Sequence, residues 1–116
     1  MDTMDIQTVN LEQGMPTSEQ AIIRMDQAIR AAKAKRCKIL KLIHGYGSSG
    51  RGGIIRHEVQ SALAKHQRAG RIRAFVPGEN FSPFYDEARI AVDTCPALIT
   101  DRDYTRSNHG ITIVVI

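Results

Sequence analysis

Three features of this chain predict an α/β fold: apolar runs of strand length, amphipathic runs of helical period between them, and short turn-rich joints where the two meet. The predicted order is βαβαββ, a two-layer sandwich of helices on a mixed four-stranded sheet, with an irregular insertion at about residues 78–109 before the last strand. Its 116 residues suit one hydrophobic core, so residues 1–116 are read as a single domain.

Each element has its own signal. Asp5 to Leu11 alternates weakly and reaches a turn at Gln13-Gly14, as a first strand would. Thr17-Ser18-Glu19-Gln20 has the Thr-x-x-Gln form of a capping box, which predicts a helix from there to about Lys35. Ala21, Ile22, Met25, Ala28, Ile29 and Ala32 recur at three- and four-residue steps and so share its inner face. Residues 38–43 read as a buried strand. A second helix follows, with Ile55, Val59, Ala62, Leu63 and, at its margin, His66 facing inward, and Gly70 ends it. Ile72 to Val76 is a third strand stopped by Pro77-Gly78. Right-handed crossovers predict parallel pairing of these three strands, with one sheet face thinly covered because only two full helices are available. Within the insertion a short helix is expected around Tyr85 to Val92, and Phe81, Phe84 and Tyr85 are expected to anchor it by packing. Ile111 to Ile116 is nearly all β-branched and forms the final, buried strand.

Charge is segregated along the chain. The net charge is +4, but twelve of the sixteen Lys and Arg residues lie between Arg30 and Arg73, with only one of the twelve acids, Glu58. Such a polycation attracts polyanions, of which nucleic acid is the most available. Cys37 and Cys95 have no CxxC spacing, and the four histidines show no zinc spacing, so no metal is assigned. Reduced cysteines, no leader pattern and no long apolar stretch predict a cytoplasmic protein without a membrane partner.

The segment His44 to Gly53 carries the chemistry. Five of the nine residues from Gly45 to Gly53 are glycine, placed between a strand and a helix, where backbone N–H groups can approach a phosphate. The start of the next helix adds its dipole, and Arg51 and Arg56 are read as charged clamps. Gly45, Gly47, Ser48 and Gly53 would form the cradle, and Tyr46 would stack on an unpaired base or fold back. Lys35 and Arg36, with Lys33, Lys38 and Lys41, would supply a general electrostatic surface. Gly45-x-Gly47-x-x-Gly50 matches a dinucleotide fingerprint, but no acid stands about 20 residues beyond it. Gly50-Arg51-Gly52 also lacks the lysine and hydroxyl of a nucleotide-triphosphate loop. A plain flexible connector remains the alternative.

His44-Gly45-Tyr46-Gly47 followed by Gly53-Ile54-Ile55-Arg56 resembles the HGxG…GxLR signature of the small MutS-related (Smr) domain, and Gly110 to Val115 resembles that family's closing segment. The resemblance runs from about residue 5 to residue 116. It implies nucleic-acid binding, with DNA or RNA endonuclease activity in several relatives. Relatives that cut carry an Asp-x-His-Gly element after the first strand, and here Asn10 and Glu12 stand at those positions. In the binding reading His44 orders the loop; cleavage would instead need it as acid or phosphate ligand and Glu12 as a replacement base, with a divalent cation entering only in that case. Without cleavage no cofactor is expected. A third reading is a non-enzymatic protein-interaction module that uses the insertion. DNA versus RNA and the oligomeric state stay open.

Overall fold

The computed structural model describes residues 5–45 and 51–116, with backbone only at Arg51 and Gly52. Strands β1 (Ile6–Asn10), β2 (Ile39–Ile43), β3 (Ala74–Pro77) and β4 (Ile111–Val115) form one sheet. The helices are α1 (Ser18–Ala34), α2 (Arg51–Arg68) and α3 (Asp86–Thr94).

The sheet is mixed, in the order β1-β2-β4-β3. β1 runs parallel to β2, and β4 is antiparallel to both its neighbours. β3 therefore points the same way as β1 and β2 but does not pair with β2, which corrects the expected run of three adjacent parallel strands. The reason lies in β4: all five of its residues are buried, so it takes an interior position and displaces β3 to the edge.

One face of the sheet carries α1 and α2. Met25 and Ile29 of α1 and Val59 and Leu63 of α2 pack on Leu40, Leu42 and Val114. The capping box forms: Gln20 N–H donates to Thr17 Oγ1 (3.2 Å) and Thr17 N–H to Gln20 Oε1 (3.0 Å). His66 stands at the helix margin, 2.9 Å from Asp26 of α1.

The other face is not thinly covered. Ile39, Ile113 and Val115 pack against Ala88 and Ala91 of α3, with Phe81 and Leu98 from the flanking 3-10 turns. The insertion is thus a third layer, needed because β2 and β4 are apolar on both faces. Phe81 and Leu98 are fully buried, and each contributes about 1.5–3 kcal/mol. Phe81 meets Tyr104 edge-on at 5.0 Å, whereas Phe84 is 87% exposed and anchors nothing. Among the described residues no helix is long and apolar enough to cross a membrane.

α1 and α2 end in the same way. After α2, Arg71 N–H reaches His66 O and Gly70 N–H reaches Gln67 O; after α1, Cys37 N–H reaches Ala32 O and Arg36 N–H reaches Lys33 O. Both are Schellman caps whose turning residue is left-handed. That residue is Gly70 (φ 75°) in one and Arg36 (φ 58°) in the other.

Candidate nucleic-acid interface

The carboxyl ends of β1, β2 and β3, the amino end of β4 and the start of α2 lie at one end of the sheet. This brings Glu12, His44, Gly45, Arg56 and the backbone of Arg51 to that end. Their roles are a separate matter.

His44 is fully buried and both ring nitrogens are occupied. Its Nδ1–H donates to Gly45 O at 2.8 Å, which leaves Nε2 to accept from the Thr112 hydroxyl at 2.8 Å. Gln60 of α2 donates in turn to Thr112 Oγ1 at 3.4 Å. Burial holds the imidazole below its ordinary pKa; the Gly45 bond opposes this, the Arg56 charge reinforces it, and Glu12 and Glu79 oppose it. The neutral ring orders the turn, one of its two expected roles, and both its nitrogens are engaged within the protein rather than free for the other, as acid or phosphate ligand.

Gly45 is also a turn residue rather than a phosphate cradle. Its N–H donates to Gly110 O at 3.0 Å, so that amide is already used. Its φ is 71°, and a Cβ there would fall 1.9 Å from Glu12 Oε1. The exposed Glu12 therefore covers the glycine, while Asn10 Oδ1 accepts from Glu12 N–H at 2.8 Å and closes the turn after β1. Gly53 lies exposed in the first turn of α2. Tyr46, Gly47, Ser48 and the side chain of Arg51 lie outside the described residues.

Arg56 is not a free clamp. Its guanidinium is bound to the Glu79 carboxylate from the insertion, and His109 Nδ1 lies 3.9 Å from the same carboxylate. Glu79 offsets much of the arginine's charge, so Arg56 acts mainly as one wall of a cleft.

The other walls were missed in the sequence. Arg102, Arg106 and His109, all exposed, line that cleft with Arg56. Their loop is fixed by Lys41, which is also corrected: it is no surface charge but is buried in the middle of β2. Its Nζ donates to Asp101 at 2.9 Å and to Asp103 at 2.6 Å, and Asn108 donates to Asp103 at 2.9 Å. Burial pulls the Lys41 pKa down, but hydrogen bonds and charge from Asp103 and Asp101 outweigh it and the net shift is upward. For Asp103 burial pushes upward, and the bonds from Lys41 and Asn108 carry it below the usual range. A lone lysine inside an apolar strand, with Asp-x-Asp available later, was the signal: a buried ammonium needs a carboxylate. Thr105 (φ 66°) and Ser107 (φ 52°) put two left-handed residues in the same loop, strain that the strut sustains.

Lys35 and Arg36 do not join this site. They follow α1 and precede β2, so the length of the strand, about 17 Å, separates them from His44. Among the described residues no group of three His, Cys, Asp or Glu side chains could hold a metal ion.

The Smr domain family model matches residues 13–80, more than half of the chain. The chain belongs to the Smr domain family. That family is associated with nucleic-acid binding and nuclease activity. The fold is similar to the crystal structure of the Smr domain of Thermus thermophilus MutS2, at 24% identity and a TM-score of 0.58, covering 94% of this chain and 95% of that one. At that identity the likeness establishes the fold of this Smr domain alone. No curated protein matches the sequence. The family match stops at residue 80, so Arg102 and Arg106 of the cleft lie outside it while Arg56 lies within.

Proposed function

We propose that this Smr domain binds nucleic acid by its phosphate backbone at the carboxyl end of the sheet, without cleaving it through His44 and Glu12. The observation that carries the reading is the cleft of Arg102, Arg106 and His109, beside the start of α2 and held by the Lys41 strut. Guanidinium groups suit phosphate because they donate in a planar fork. The glycine-rich segment and Arg51 precede Arg56 in the sequence and would add amides and charge. The binding-only reading is supported by the burial of His44 and by Asn10 and Glu12 standing where Asp and His are expected.

Salt titration of binding to labelled duplex and single-stranded oligonucleotides tests it. Arg102→Gln/Arg106→Gln is expected to lower the log–log salt slope by about 2 on duplex, close to 0.9 for each phosphate no longer neutralised. An unchanged slope would count against this cleft. Cleavage of plasmid or RNA that disappears in Glu12→Ala would overturn the binding-only reading.

A further inference from the structure

The polycation of residues 30–73 does not gather at the glycine-rich end. Seven of its twelve cations, Lys33, Lys35, Arg36, Lys38, Arg68, Arg71 and Arg73, are exposed where α1 and α2 end and β2 and β3 begin. Lys38 and Arg73 flank the end of β4 on its two sides, for Ile116 N–H donates to Lys38 O and Arg73 N–H to Val115 O. Among the described residues none of the seven is ion-paired with a carboxylate; Arg71 Nε donates to His66 Nδ1 at 2.7 Å. We infer that this opposite end of the sheet is a second phosphate-binding face that takes the backbone of a nucleic-acid duplex.

Two arguments set it apart from ordinary solvated charge. Cations near helix C-termini complement the dipole, which accounts for Lys33 and Arg68 in or beside the last turns. Lys38 and Arg73 lie past both caps, just before β2 and β3, so capping does not explain them. Second, Arg36 occupies the left-handed cap position that α2 gives to Gly70. A side chain there strains the backbone, and glycine would relieve it. The strain at this exposed residue, whose charge meets no carboxylate among the described residues, motivates assigning that charge to a ligand. Neither residues 30–38 nor residues 65–73 contain Phe, Tyr or Trp, so this face offers charge without rings on which unpaired bases stack. Such contacts position a duplex without reading its sequence.

The inference rests on the reading that the domain binds nucleic acid, and the test separates the two. Binding of a short labelled DNA duplex of arbitrary sequence is titrated with salt for three proteins: the unaltered chain, Lys35→Gln/Arg36→Gly/Arg68→Gln/Arg73→Gln, and Arg102→Gln/Arg106→Gln. The quadruple variant is expected to lose at least about tenfold in low-salt affinity and to lower the salt slope by about 3–4, whatever the duplex sequence. Thermal melting of each variant confirms folding, and Arg36→Gly alone, which should melt higher, carries the same comparison if the quadruple variant does not fold. A slope unchanged in the quadruple variant but lowered in the Arg102/Arg106 variant overturns this inference and leaves the carboxyl-end reading standing. The reverse pattern upholds the second face and overturns the cleft. No binding by the unaltered chain overturns both.

Discussion

The two ends of the sheet handle positive charge in opposite ways. At the carboxyl end the insertion supplies acids that meet bases: Glu79 holds Arg56, and Asp101 and Asp103 hold Lys41. At the amino end seven exposed cations stand with no carboxylate partner among the described residues. A block of like charge in a sequence is therefore not one surface. In βαβ units each helix runs back along its strands, so successive connections fall at alternate ends and the block is divided between them.

Four substitutions break or sharpen that contrast. Lys41→Met should have the largest effect, because it leaves two nearly buried carboxylates facing apolar strands. A loss of about 3 kcal/mol is expected in urea denaturation. It should also loosen the loop that carries Arg102 and Arg106, while leaving the amino-end cations in place. The strut itself should be insensitive to pH near neutrality. The lowered Asp103 keeps its contribution until acid below about pH 4, and the raised Lys41 keeps its own until alkali above 10.5.

His44→Ala comes next, at about 2 kcal/mol, since it strips a partner from buried Thr112 and from the Gly45 carbonyl. Its pH signature is specific. Burial depresses the folded-state pKa, so the unfolded chain binds the proton more readily; the contribution of His44 is complete above 6.5 and declines as the pH falls below it. Melting temperatures from neutrality to mild acid should fall in the unaltered protein, and that share of the fall should vanish in His44→Ala.

The smallest effect is also the most discriminating. Arg36→Gly should stabilise the fold by about 1 kcal/mol, since relief of the left-handed backbone exceeds the added entropy of the unfolded chain. Gly70→Arg should destabilise it by a similar amount in the same thermal melts. If Arg36→Gly destabilises instead, Arg36 holds the fold and the case for it as a binding residue fails.

The elements were legible where local chemistry acts alone. Thr17 and Gln20 announced α1, its inner face followed from Met25 and Ile29, and the β-branched run from Ile111 announced β4. Strand order was not, because nothing local says that a strand buried on both faces will come between β2 and β3. At the site, His44 and Gly45 were found by their motif, but their hydrogen-bond partners Thr112 and Gly110 are distant in the chain. Those partners decide that a turn is ordered rather than a phosphate held. Arg56 read as free because Glu79, which binds it, lies 23 residues away. Arg102 and Arg106 were hidden by lying among acids, and only the fold turns those acids inward toward Lys41.

β4 is the last strand in the chain and lies between β2 and β3, bonded to both. Without it the sheet would be a β1-β2 pair and a solitary β3, each with an open apolar edge. That one strand joins the two halves and brings Thr112 to His44, so completing the sheet and setting the turn at its carboxyl end depend on the same element.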